Sequence, residues 1–390
     1  MAIKIKDKEA LIRIFKTISW LDSRRWEVAE NYNLLNFFRD DLTSCEKILT
    51  HWISYITDRQ MAFEIVWEKG GYVFSELVYN YSRSELPPQQ ILDKHYEKYY
   101  DTKGRERFRF KSTHGEVAFA SRYITNDYQS ILQTLEILNY PDYRRNIVVY
   151  IVDIMRRFQN KDDLLIRIAC GLHLLTYQLD GTKANPEKAI KVINSSREFE
   201  KKLKEFKETS TKGKKRLWCC IRDYKKGLYH EIFNDAIKEI APDSDAEELI
   251  DMWNKLPMDQ IELPGDVWNN SPLFRDNLFA KVLSFDSIPK TWGMPKIIRE
   301  LYNQLKSDGG IDDFYPEQFD VTFDFVPRMC TKKLCKVCLF GESGVESICI
   351  PTKDKYCSVA LLSCGYISKC EGDKCIIKKG ISKGICKERL

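Results

Sequence analysis

At 390 residues and 43% hydrophobic content, the chain can build two or three domains around a sizeable core. Its 20 Phe, 20 Tyr and 8 Trp exclude a disordered polymer, and no apolar run approaches the ~18 residues that a membrane span needs. The formal charge of +5 is uneven: residues 326–390 hold 13 Lys and Arg against 6 Asp and Glu, a net of +7, which leaves −2 on the remainder.

The opening Met1-Ala2-Ile3-Lys4-Ile5-Lys6 lacks the apolar core of a secretion signal, so the expected compartment is the reducing cytoplasm. Ser44 to Met61 gives the clearest helical signature. Ser44 is the expected N-cap, and Cys45, Ile48, Leu49, Trp52, Ile53 and Ile56 recur at 3.6-residue spacing. Cys45 lies on that stripe and reads as a small hydrophobe, while His51 lies off its centre and reads as a helix-flank residue. Arg105 to Phe110 and Glu116 to Ala120 alternate on either side of Thr113-His114-Gly115, which predicts one β-hairpin.

Helices follow over Asn126–Leu138, Ile147–Phe158 and Asp163–Leu179. The third is a core helix through Leu164, Leu165, Ile168, Leu172 and Leu175, with Cys170 and His173 packed rather than ligating. Asn185-Pro186-Glu187 starts another helix. The basic stretch near 207–216, with Thr211-Lys212-Gly213-Lys214-Lys215-Arg216, reads as an exposed linker. A capped helix start follows Pro242-Asp243-Ser244-Asp245, and further helices are expected over Ser271–Leu283 and Pro295–Leu305. These elements predict a mainly α fold with one small hairpin. Its expected regions are an N-terminal part over 1–125, a helical domain over 126–326, and a basic cysteine-rich metal module over 327–390.

Nine of the 13 cysteines fall in that last region. Cys330, Cys335, Cys338 and Cys349 are separated by four, two and ten residues, so tight turns can bring their thiolates to one centre. Cys357, Cys364, Cys370 and Cys375 are enough for a second four-thiolate centre, with Cys386 left over. The five histidines, at 51, 95, 114, 173 and 230, all lie far from this run. All-thiolate ligation suits zinc or iron–sulfur, and the scarcity of C-x2-C pairs tilts the assignment toward a [4Fe-4S] cluster, with zinc as the alternative. A disulfide-stapled tail is the structural alternative to a metal. The basic charge around the thiols, including Lys332, Lys333 and Lys336, points to a polyanionic partner, most simply nucleic acid.

The order of a helical body, Leu263-Pro264-Gly265, Asp286 and then the cysteine group resembles the iron–sulfur branch of the helix-hairpin-helix DNA glycosylases. The resemblance covers the last third of the chain. It implies that the hairpin amide at Gly265 meets a DNA phosphate, that Asp286 is the catalytic carboxylate, and that Cys330, Cys335, Cys338 and Cys349 hold the cluster. The family's second hairpin glycine and following lysine are replaced here by Asp266-Val267-Trp268. The implied activity is therefore monofunctional hydrolysis of an N-glycosidic bond in DNA repair. Two other classes stay open: a non-catalytic zinc- or cluster-bearing module that binds nucleic acid or protein, and a redox or electron-transfer protein with two centres.

Overall fold

The structure, a computed structural model, describes residues 3–16, 18–19, 38–57, 71–101, 107–110, 117–176, 185–208, 212–227, 229–261, 279, 282–307, 311 and 314–319. They are mainly helical and fall into two compact units. One is residues 33–260; the other joins residues 1–32 to 261–390. This division departs from the sequence boundaries at 125 and 326, and the reason is non-local packing.

The 33–260 unit is organised on helix α1 (Ser44–Thr57). Its N-cap is Thr43 rather than Ser44, in a reciprocal capping box. Thr43 N donates to Glu46 Oε2 at 2.9 Å and Glu46 N donates to Thr43 Oγ1 at 3.2 Å. The next two amides, of Ser44 and Cys45, donate to the Glu239 carboxylate at 2.7 and 3.0 Å. Burial alone would raise the pKa of Glu239, but these amide bonds outweigh it and hold the carboxyl below its usual range. Every residue from Ile48 to Ile56 is buried, so α1 is covered on all sides rather than along one stripe. Its hydroxyls are satisfied within the helix: Thr50 Oγ1 donates to Glu46 O and Ser54 Oγ donates to Thr50 O, both at 2.9 Å.

Helix α2 (Gly71–Arg83) packs on α1, α3 (Pro88–Tyr99) packs on α2, and α4 (Ser121–Leu138) and α5 (Ile147–Phe158) pack on α1. Strands β1 (Tyr100–Asp101), β2 (Arg107–Phe110) and β3 (Val117–Ala120) form an antiparallel sheet in the order β1-β2-β3, with Phe108 opposite Phe119. Helix α6 (Leu164–Leu174) carries the expected core positions Leu164, Leu165, Ile168 and Leu172, with Leu175 just past its end; all five are buried. Gly171 on α6 permits close approach of α5. A Cβ there would lie 2.2 Å from Ile154 Cδ1, and Tyr150 Oη donates to Gly171 O at 2.6 Å.

Asn185 caps α7 (Pro186–Asn194) through Lys188 N. The stretch near 207–216 corrects the linker expectation. Helix α8 (Ser196–Glu208) is followed by α9 (Lys212–Lys226), so the lysines of 212–215 open a helix. From Leu217 onward α9 enters the core with Trp218, Cys220, Ile221 and Tyr224. Helices α10 (His230–Ile240) and α11 (Asp243–Lys255) close the unit. Its covalent continuity through position 125 is matched by contacts such as Cys45 Sγ to Ala236 O at 3.4 Å.

In the second unit, the first residues of the chain complete a core built largely from its far end. Leu11, Ile14, Phe15 and Ile18 pack with Phe279, Leu283, Ile298, Leu301, Phe314 and Phe319. Phe15 stacks on Phe314 at 4.4 Å between ring centroids. Helix α12 (Met294–Lys306) supplies six buried side chains to this core. Burial of residues so distant in sequence offsets a large loop-closure cost.

Candidate functional site

Asp286 sits on a single 3-10 turn, Phe285–Ser287, and is exposed. The N-terminal segment holds that turn. Ile5 pairs antiparallel with Leu283, and Lys6 N donates to Val282 O at 2.8 Å. Ser284 N donates to Lys4 O at 3.0 Å, and Lys4 N donates to Ser287 Oγ at 3.1 Å. Ser287 Oγ in turn donates to Ser284 O at 2.6 Å, so both backbone groups of Lys4 are fixed to the turn. Buried Ile288 anchors the chain beyond it, and Trp292 N closes a second turn onto Pro289 O at 2.9 Å. Lys4, Lys6, Lys290 and Lys296 are exposed, and the Lys296 ammonium lies 4.4 Å from the centre of the half-buried Trp292 ring. A solvent-facing carboxylate with lysines on the segments beside it can meet a phosphorylated ligand from outside.

The other residues singled out in the sequence lie outside the described residues: Gly265, Lys332, Lys333, Lys336, and the cysteines Cys330, Cys335, Cys338, Cys349, Cys357, Cys364, Cys370 and Cys375. Among the described residues, no group of three or more His, Cys, Asp or Glu is arranged to hold a metal ion. Cys45, Cys170 and Cys220 are buried, in line with the reading of Cys45 and Cys170 as packing residues.

The sequence reading missed a buried polar cluster in the 33–260 unit. His51 is not a helix-flank residue; at 1% exposure it faces α9, where Arg222 is 1% and Asp223 0% exposed. His51 Nδ1 lies 3.0 Å from Tyr224 Oη and 3.7 Å from Cys220 Sγ, and Nε2 lies 3.7 Å from Asp223 Oδ2. Tyr55 Oη donates to Asp223 Oδ2 at 2.5 Å, and Arg222 Nε is 3.5 Å from Asp223 Oδ1. The Tyr229 ring covers the imidazole at 3.7 Å. A thiol, an imidazole and a carboxylate in this order resemble a nucleophile relay, but their complete burial gives no path for a substrate. The cluster therefore reads as scaffold. The only hint in the sequence is the i,i+4 pairing of His51 with Tyr55 and of Cys220 with Tyr224.

A shallow cleft at Thr43, Glu46, Ser82, Arg144 and Asn146 is also scaffold. Glu46 is paired to Arg83 at 2.6 Å. Arg145, held with Arg144 at positive φ, spends its guanidinium on the carbonyls of Tyr81 and Ser84.

Burial makes two histidines reluctant to protonate. Desolvation lowers the pKa of His51 against the opposing pull of Asp223, and lowers His95 from 6.5 to about 3. The unfolded chain then binds more protons than the folded one below pH 6.5, so stability is lost as pH falls from there. Urea unfolding at pH 7.5 and at pH 5 is expected to show the lower midpoint at pH 5. His95→Gln removes about 1.4 kcal/mol per pH unit from that dependence; an unaltered dependence contradicts the assignment.

No protein-family model, no curated protein and no solved structure matches this chain.

Proposed function

We propose that this chain acts on nucleic acid as a monofunctional N-glycosidic hydrolase, with Asp286 as its carboxylate and a metal-organised C-terminal module as its second contact. The observation that carries the reading is the exposed Asp286 on a turn clamped to the N-terminal strand segment, with Lys4, Lys6 and Lys290 on the adjoining chain. Breaking an N-glycosidic bond builds positive charge on the sugar, which a carboxylate stabilises directly or by activating water. Lysines nearby would hold the flanking phosphates while the base leaves the stack for the site.

The donor set Cys330, Cys335, Cys338 and Cys349 is all thiolate, which fits a [4Fe-4S] cluster and, as the alternative, zinc. Bound there, the metal supplies shape rather than redox work and sets Lys332, Lys333 and Lys336 against phosphate. Cys357, Cys364, Cys370 and Cys375 would serve a second centre. No lysine follows Gly265 at the position where bifunctional relatives of the glycosylases carry one, so strand cleavage is not part of the reading.

Asp286→Asn tests the catalytic part. With metal content unchanged, base release from a panel of lesion-bearing oligonucleotides is expected to fall by about 100-fold or more. An unchanged rate removes Asp286 from the site. The +7 charge of residues 326–390 favours a second reading, a non-catalytic nucleic-acid binding module. Binding without base release from any substrate in the panel selects it.

A further inference from the structure

We infer that the N-terminal strand segment, through Lys4 and Lys6, forms with Lys290 and the Trp292–Lys296 pair a surface that grips the backbone of a nucleic-acid strand beside Asp286. The inference deepens the proposed function and rests on it. It begins with a period of two. Ile3 is buried and Ile5 is packed on the core, while Lys4 and Lys6 are exposed, as an extended segment requires when only one of its faces is covered.

Pairing of that segment with Val282–Ser284 removes its freedom. Lys4 is tied at N to Ser287 Oγ and at O to Ser284 N, so its side chain departs from a rigid point next to the Asp286 turn. Lysine on a backbone segment tied down by hydrogen bonds presents its charge with less ordering cost than lysine on a loose terminus. Lys290 follows three residues after Ser287, and the turn at Pro289 leads directly to Trp292.

Charge favours a polyanion. On residues 3–8 and 284–296, Lys4, Lys6, Lys8, Lys290 and Lys296 stand against Asp7 and Asp286. One of those acids, Asp7, is already engaged in accepting the Ala10 amide at 2.9 Å. The aromatic component narrows the class further. Trp292 is partly exposed, with an ammonium 4.4 Å from its ring centre, and a ring beside a cation offers both stacking for a base and charge for its phosphate. A purely electrostatic surface would not need the ring.

The test is binding of a fluorescein-labelled single-stranded DNA oligonucleotide to the full chain, by anisotropy across a salt series. Replacing Lys4, Lys6 and Lys290 together by Gln is expected to weaken binding at least about tenfold. The slope of log affinity against log salt should drop by about 2, near 0.7 per lost phosphate contact. The same three positions as Arg should keep the wild-type slope, which separates lost charge from damaged folding. Trp292→Ala should weaken binding with the slope retained. If the wild type binds and the Gln variant matches it, the inference fails while the proposed function survives. If the wild type does not bind the oligonucleotide, both fall. Lysine-dependent binding to phosphatidylserine vesicles without oligonucleotide binding overturns the inference and assigns the surface to a membrane.

Discussion

Asp223→Ala is expected to destabilise the 33–260 unit by about 3–5 kcal/mol, the range for removing one member of a buried charge pair. The carboxylate is wholly buried and holds three neighbours at once: the Tyr55 hydroxyl, the His51 imidazole and the Arg222 guanidinium. Truncation removes a carboxylate 3.5 Å from the buried Arg222 guanidinium and opens a void where close packing cannot recover. Chemical unfolding followed by the fluorescence of buried Trp218 and Trp253 reads the loss. Asp223→Asn keeps the shape and an acceptor for Tyr55 but not the charge, so it should remain costly. Replacing Arg222 by Met and Asp223 by Leu together should recover much of the stability, because an apolar pair needs no compensation. A loss below about 1 kcal/mol in Asp223→Ala would mean that the cluster is hydrated and loosely coupled.

The second large effect is expected in the cysteine-rich tail. Changing Cys335 and Cys338 together to Ser should abolish metal retention at the first centre, since a hydroxyl is a poor substitute for a soft thiolate ligand. On the proposed function it should also weaken oligonucleotide binding, because the bound metal would be what sets Lys332, Lys333 and Lys336 against phosphate. Cys45→Ser is the matched control. That thiol is buried on α1 and donates to Ala236 O at 3.4 Å, and burial pushes its pKa up, so it should leave metal content untouched. Equal metal in the Cys335/Cys338 double variant and the wild type would place the ligands elsewhere.

What could be read from the sequence divides along the range of the interactions involved. The mainly helical character follows from local period, and α1 and α6 were legible because each carries a run of apolar residues at helical spacing. Period alone could not show that α1 is enclosed on every side, so His51 seemed peripheral when tertiary packing had made it central. The first turns of helix α9 were hidden because they are lysine-rich and resemble a linker, while a helix start was legible at Trp218-Cys219-Cys220; Leu217, Trp218 and Ile221 carry the helix into a core assembled by other helices. The pairing of Ile5 with Leu283 joins residues 278 positions apart and has no local signature. That pairing decides the surroundings of Asp286. The residue could be named from a motif and Lys290 lies four positions on, but Lys4 and Lys6 are placed beside it only once the ends of the unit are brought together. The Leu263-Pro264-Gly265 turn and the cysteine groups lie outside the described residues, and their roles rest on the chemistry of the residue types.

Full-length protein purified without oxygen should be analysed for iron, zinc and acid-labile sulfide per chain, together with its visible absorption. The account predicts bound iron with matching sulfide and a brown colour, or, on the zinc alternative, about one zinc per four-thiolate site in a colourless protein. Protein that carries neither metal, or whose nine C-terminal cysteines prove to be joined as disulfides, contradicts it.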